Sequence, residues 1–304
     1  MVPVLKQPKP AHTFESEDGG QILPLSFFEA AILHEFKVFR AFTWRDWSAS
    51  LIPGMMYAIT AIRCLPSPLS TAFIALGIGR ALIYLVLYLY SYNLSNQIAG
   101  VAEDSINKPD RPLPSGRVSL RGAYVRLYAS IVAFLVIGAA WGVMRWTILW
   151  LLLSIAENFT GLGKHWFTRN TVFISAGTVC LLQPMWELFA PSRPREWNWV
   201  LILSSLCGTL ANVQDFRDVE GDRATGRHTL PLAFGDRNSR RIMAVLFCMT
   251  PLFCWVVEFT SGYHAYGFGL VMIYLAYRIL RGGSKVYDDE TYTVSNSSVP
   301  QSGL

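Results

Sequence analysis

Charge is what this chain most conspicuously lacks. Only 15% of its 304 residues are Asp, Glu, Lys or Arg, while 52% are apolar; an average soluble domain carries about a quarter charged residues. So little charge cannot cover the surface of a soluble protein of this length, and the same arithmetic excludes a disordered, collagen-like or nucleic-acid-binding chain. Cysteine is sparse as well. The five present (Cys64, Cys180, Cys207, Cys248 and Cys254) lie scattered in or beside apolar runs, with no CxxC and no His or Cys at metal spacing. They therefore read as packing residues rather than redox or zinc groups. A signal peptide is missing too: the opening MVPVLKQPKPAHTFESEDGGQ is polar and contains proline, so residues 1–25 are expected to form a loose cytosolic tail.

What the chain has in abundance is apolar sequence in runs near the roughly 20 residues that cross a hydrocarbon core. Eight candidate spans are read near 48–63, 69–95, 119–142, 146–160, 171–190, 198–214, 240–258 and 264–281. An all-α, polytopic transmembrane bundle is the expected fold, one helical domain over 26–281. Before the first span, aromatic and charged residues alternate at helical spacing, which suits an interfacial helix near 26–46. After Arg281 no further apolar run follows, and 282–304 is expected to be a polar C-terminal tail. Setting aside Arg80 within a span, only Arg63, Arg145, Arg193 and Arg195 fall on one side of this topology; all other Lys and Arg fall on the other, with the N-terminus. By the positive-inside rule that side is the cytosol, and the endoplasmic reticulum is the expected membrane. The formal net charge of +5 reports this topology, with no nucleic-acid partner and no obligate protein partner implied.

Carboxylates are expensive near a membrane, so where they collect is informative. The first collection follows the second span: on a helix, Asn93, Asn96, Gly100, Glu103 and Asp104 share an arc of about 100°. The second follows the sixth span: Asp215, Asp218 and Asp222 lie within about 60° of one another on a helix, and Glu220 points away. Three carboxylates on one stripe call for a compensating cation. Magnesium suits them, because it takes oxygen ligands and is usually held by a few carboxylates together with substrate phosphates. Basic residues stand close in sequence: Lys108 and Arg111 after the first collection, Lys164, His165 and Arg169 after the fourth span, Arg223 and Arg227 after the second collection. Metal-holding carboxylates beside oxyanion-binding cations suit a diphosphate bridged by magnesium. Loss of that diphosphate leaves an allylic cation, which a chamber of Phe, Tyr and Trp can stabilise. Glu157 and Asn158, at the cytosolic end of the fourth span, are expected to make packing hydrogen bonds, with a place in the polar wall as the alternative.

The two motifs resemble those of the UbiA superfamily of intramembrane prenyltransferases, whose members carry NDxxDxxxD after the second helix and a DxxxD-type motif after the sixth. Here the first is Asn96-Gln97-Ile98-Ala99-Gly100-Val101-Ala102-Glu103-Asp104, followed by NKPDRPLPSGR at 107–117, and the second is DFRDVEGD at 215–222. The resemblance runs from about residue 40 to 281. It implies a helical bundle with a central cavity, magnesium dependence and a prenyl diphosphate substrate. It also implies metal and diphosphate sites at Asn96, Asp104, Asp215, Asp218 and Asp222, with Lys164, Arg169 and Arg223 as phosphate partners. Where the family places aspartates, this chain has Gln97 and Gly100, so the first metal site is expected to be either rebuilt around Glu103 or weaker than usual. That variant wording is similar to the fungal membrane-bound terpene cyclases of the superfamily, such as the bergamotene synthase of fumagillin biosynthesis. The family usually has nine spans; here eight are expected.

The full set of expected site residues is therefore Asn96, Glu103, Asp104, Asp215, Asp218 and Asp222 for metal and chemistry, with Lys108, Arg111, Lys164, Arg169, Arg223 and Arg227 for the diphosphate. Three functions are compatible with it: a cyclase that ionises farnesyl or geranylgeranyl diphosphate without an acceptor, a prenyltransferase with an aromatic or lipid acceptor, and a non-catalytic membrane scaffold or anionic-lipid transporter.

Overall fold

A computed structural model of the chain describes residues 25–66, 69–190, 194–257 and 262–296. Most of the expected N-terminal tail, Arg193 and the end of the C-terminal segment lie outside the described residues. The chain divides into two compact units, residues 1–37 and 38–304. Helix α1, Leu25–Thr43, begins in the first unit and ends in the second. In the first unit its Phe28, Ile32, Leu33 and Phe36 are exposed apolar residues at helical spacing, interleaved with Glu29, His34 and Lys37.

The other elements described in the second unit are all helices, and among the described residues its only β-type pairing is one isolated bridge between His165 and His228. The first four of its long helices are α2 (Trp47–Arg63), α3 (Thr71–Ala99), α5 (Leu120–Ala140) and α6 (Met144–Phe159), with short α4 (Val101–Asn107) after α3. A π-helical turn at Phe167–Phe173 leads into α7 (Ile174–Glu187). Helix α8 (Pro194–Leu210) passes through a 3-10 turn at Ala211–Gln214 into α9 (Asp215–Ala224). The chain continues through short α10 (Leu230–Phe234), α11 (Asp236–Val256), α12 (Gly262–Arg281) and α13 (Lys285–Asn296).

Each of the eight expected apolar runs overlaps one helix of 14 residues or more. Among the described residues three of them, α3, α5 and α11, are long and apolar enough on their own to cross a membrane. Helices α2, α6, α7 and α8 are 17, 16, 14 and 17 residues long. For α7 and α8 the shortfall has a local cause: the regular helix gives way to a π-turn or a 3-10 turn next to the acidic segments, and such interruptions gather at functional sites.

The bundle packs around Tyr84, Leu85, Phe134 and Met185, all fully buried. Where apolar surroundings weaken the hydrophobic drive between helices, close approach of small residues replaces it. Gly208 on α8 is an instance: a Cβ there would lie 2.1 Å from Ser175 Oγ on α7. The polar segment after Arg281, expected as a tail, instead folds into α13. Asp288 on α13 makes a two-pronged ion pair with Arg240 of α11, at 2.8 and 2.7 Å. The Arg240 guanidinium also lies over the Phe216 ring of α9, 4.5 Å from its centroid. A segment with no apolar run docks through charge and rings, which hydropathy does not register.

Candidate active site

The two acidic segments meet. Helix α3 stops at Ala99 because Gly100 leaves helical geometry (φ −95°, ψ 12°), and α4 restarts the chain toward α9. Asn107 at the end of α4 clasps α9 with both side-chain atoms: its Nδ2 donates to the Asp218 carbonyl at 3.2 Å, and its Oδ1 accepts from Gly221 N at 3.2 Å. Only glycine permits that approach, since a Cβ at 221 would stand 2.3 Å from Asn107 Nδ2.

Side chains then pair across the junction. Lys108 Nζ lies 3.1 Å from Asp218 Oδ2. Arg111 Nη1 donates to both oxygens of Asp104, at 2.8 and 2.9 Å. Arg227 bridges Glu103 and Asp222, the latter at 3.2 Å. Asp215 accepts from Asn170 Nδ2 at 2.9 Å and more weakly from Leu230 N at 3.5 Å. All five carboxylates are buried, and Glu220 is exposed as the helical spacing required.

Arg169, on the π-helical turn, is placed differently. Glu103, Asp215, Asp222 and Glu157 are the acidic groups whose charges bear on it most, yet among the described residues it makes no direct hydrogen bond or ion pair with them. It is a cation surrounded by carboxylates and committed to none.

Burial and crowding set the protonation of the group. Loss of water pushes Asp215 up to about 7, against the pull of Arg169. Burial likewise raises Asp222 and, despite the Arg111 fork, Asp104. At Asp218 burial works upward, but Lys108 and Arg217 together outweigh it and hold the carboxyl below its ordinary range. Burial lowers Lys108. One oxygen, Asp222 Oδ2, is buried without a hydrogen-bond partner. Among the described residues no three carboxylate, His or Cys groups converge as a ready-made metal cage, because each carboxylate faces a lysine, an arginine or an amide of the chain.

A cavity of about 220 Å³ connects this polar pole to an aromatic one. Asn96, Gly100, Glu103, Asp104, Lys108, Arg111, Arg169 and Asp218 line one end. Tyr88, Tyr92, Trp150, Phe173 and Leu181 line the other. Tyr88 and Trp150 are stacked with centroids 4.1 Å apart, and Trp150 Nε1 donates to the Tyr88 carbonyl at 3.0 Å. Gly177 makes room for them: a Cβ there would meet Trp150 at 2.6 Å. Glu157 borders both this cavity and a neighbouring one of about 470 Å³ that includes Lys164 and Arg227. Its Oε1 accepts from Tyr92 OH at 3.0 Å, while Asn158 Oδ1 accepts from Asn96 Nδ2 at 3.0 Å and so fixes the Asn96 amide.

Two expectations are corrected by this geometry. Arg223 is exposed; as the neighbour of Asp222 it is turned about 100° away from the acidic stripe, whereas Asp215 and Asp222, which line neither cavity themselves, are buried behind the cavity wall and paired with Asn170 and Arg227. Gln97 is buried away from the cavity, its Nε2 donating to the Phe42 carbonyl at 3.0 Å, so the change from aspartate there removes nothing from the wall. Gly100 does line the cavity, and a Cβ on it would stand 4.0 Å from Glu103 Oε2. Asn170, Asp46 and Arg217 were missed by sequence reasoning. Asp46 lines the cavity from the turn before α2 and accepts from Asn93 Nδ2 at 3.1 Å.

Comparison with known proteins gives a consistent picture. Residues 50–296 match the UbiA prenyltransferase family. The chain is 41% identical over 266 residues to the diterpene cyclase eriG of Hericium erinaceus, covering 86% of this chain and 85% of the relative. It is 36% identical over 271 residues to the polyprenyl transferase eriF of the same organism, covering 86% and 91%. The fold is similar to that of a UbiA homologue from Archaeoglobus fulgidus whose structure was solved with GPP and Mg2+ bound. That likeness has a TM-score of 0.60 at 14% identity over 85% of this chain and 95% of the other.

Proposed function

The chain belongs to the UbiA prenyltransferase family and is an integral membrane enzyme of cyclase or prenyltransferase type. From that premise we propose that it is a magnesium-dependent terpene cyclase, which ionises farnesyl or geranylgeranyl diphosphate and cyclises the carbocation without an acceptor. The observation that carries this reading is the meeting of two acidic segments and their cations at one pole of a cavity whose other pole is aromatic. The 41% identity to a diterpene cyclase favours cyclisation.

The residues fit the metal. A buried carboxylate oxygen without a donor, Asp222 Oδ2, is costly, and a hard cation that seeks oxygen relieves it. Asn96, Glu103, Asp104, Asp215, Asp218 and Asp222 would hold magnesium, which when bound supplies positive charge to the diphosphate oxygens as the carbon–oxygen bond breaks. Lys108, Arg111, Lys164, Arg169 and Arg227 bind the remaining oxyanion charge. Arg169 does so without first releasing a direct partner. The electron pair of the breaking bond leaves with the diphosphate. The allylic cation left in the cavity faces the Tyr88 and Trp150 rings, whose π-faces favour positive charge. A distal double bond of the same chain attacks the cation, and a base or the departing diphosphate takes the final proton.

In this reading the eight long helices α2, α3, α5, α6, α7, α8, α11 and α12 span the endoplasmic reticulum membrane. The acidic segments and the N-terminus then lie on the cytosolic side. The test is release of inorganic pyrophosphate from the prenyl diphosphate by the full-length protein in membranes. Magnesium-dependent release that Asp218→Ala eliminates is the expected result; release indifferent to both contradicts it. A second reading, transfer of the prenyl group to an acceptor, is favoured by the 36% identity to a polyprenyl transferase, and the ionising residues serve it equally.

A further inference from the structure

Among the cations lining the cavity, Arg217 was in neither expected set. It lies between Phe216 and Asp218 on α9, and its side chain enters the polar pole beside Lys108 and Asp218. Its Nε is buried and makes no hydrogen bond; the Asp218 Oδ2 oxygen stands 3.6 Å from it. That same oxygen takes the Lys108 ammonium at 3.1 Å. One carboxylate oxygen thus faces two cations and hydrogen-bonds only one.

The guanidinium is held from behind by α13. Its Nη1 donates to Asp289 at 2.8 Å, and the Tyr292 ring covers its face with 3.7 Å between Cζ and the centroid. Tyr292 lines the same cavity. Helix α13 does not depend on Arg217 for its own place, because Asp288 is forked by Arg240 and Thr291 Oγ1 accepts from Arg278 Nε at 3.1 Å. A planar guanidinium clamped on its face and at one edge keeps its remaining N–H vectors fixed, which favours oxyanion recognition over a mobile ammonium.

We propose that Arg217 is a further diphosphate-binding residue, and that α13 acts as its positioning element through Asp289 and Tyr292. The inference rests on reading the cavity as a prenyl diphosphate site. When Asp218 turns to a cation, its oxygen leaves both Lys108 and Arg217, and a phosphate oxygen takes its place at the Arg217 Nε–H. Asp289 and Tyr292 keep the guanidinium from following Asp218.

The experiment measures binding of inorganic pyrophosphate with magnesium to the full-length protein in detergent, together with KM and kcat for the prenyl diphosphate in membranes. Arg217→Met is expected to weaken pyrophosphate binding and raise KM about tenfold or more, since a lost charge-assisted hydrogen bond is worth about that factor. Arg217→Lys is expected to recover part of the loss. Tyr292→Leu is expected to weaken binding about threefold in the natural background and not at all in Arg217→Met, the signature of action through Arg217. Thermal unfolding and Asp218→Ala are run alongside. Unchanged affinity in Arg217→Met and Arg217→Lys, with magnesium-dependent binding lost in Asp218→Ala, overturns this inference and leaves the site reading standing. An equal Tyr292→Leu effect in both backgrounds overturns the role of α13. Pyrophosphate binding unaffected by Asp218→Ala removes the site reading itself, and this inference with it.

Discussion

Lys108 Nζ and Asp218 Oδ2 are 3.1 Å apart although 110 residues separate them in the chain. That contact joins the two acidic segments at the point where a diphosphate would enter. Removing Asp218 leaves Lys108 buried opposite an empty place, and burial already lowers its affinity for a proton. Asp218→Ala is expected to lower turnover by at least about a hundredfold, the scale of losing a preorganised electrostatic group. Unfolding should shift by only about 1–3 kcal/mol. Steady-state product formation and a thermal melt of the same preparation check both.

Gly221 and Asn107 form the hinge of the junction. With a Cβ at 221 only 2.3 Å from Asn107 Nδ2, Gly221→Ala is expected to push α4 from α9 and destabilise the fold by about 1–3 kcal/mol, the usual cost of overpacking. Activity should fall with it. Asn107→Ala in the same chain should restore part of the melting temperature, and additive losses in the double variant would count against this contact.

Gly177 governs the aromatic pole. Its substitution by alanine displaces Trp150, 2.6 Å from the added carbon, without touching Lys108, Asp218 or Arg169. The expected outcome is a changed distribution of products with pyrophosphate release kept within about tenfold, because the aromatic wall orients the carbocation while the ionising residues stay in place. Gas chromatography of the extract beside a pyrophosphate assay separates the two effects.

The acidic stripe was legible in the sequence because Asp215, Asp218 and Asp222 recur at helical spacing, and Glu220 was correctly set apart. Asn93, Asn96, Gly100, Glu103 and Asp104 all reach the cavity even though the helix breaks at Gly100. Arg223 shows where such reading stops: nearness in sequence to Asp222 is not nearness on a helix face. Gln97 shows another limit, since a motif position turned out to serve packing against Phe42. Arg217 could not be recognised because its clamp, Asp289 and Tyr292, belongs to a segment that hydropathy treats as a tail. Recognition of α13 required the Arg240–Asp288 pair, a long-range contact with no periodic signal.

Orientation is open to a chemical check as well. Asn93, Asn158 and Asn296 each begin an Asn-x-Ser/Thr sequence. Asn93 is buried, its Nδ2 donating to the Phe42 carbonyl at 3.0 Å, and the Asn158 amide is engaged with Asn96 and the Ser154 carbonyl, so Asn296 is the informative one. In the proposed orientation α13 is cytosolic, and the protein expressed in microsomes should show no mass shift on glycosidase treatment; a shift would reverse the proposed orientation.

Incubating membranes that contain the protein with magnesium and either farnesyl or geranylgeranyl diphosphate, with no acceptor added, tests the central claim most directly. Mass analysis of the extract is expected to find a cyclic hydrocarbon that disappears with a chelator, returns when magnesium is restored, and is absent from Asp218→Ala. Product that forms only after a phenolic or lipid acceptor is supplied would contradict cyclisation and make the enzyme a prenyltransferase.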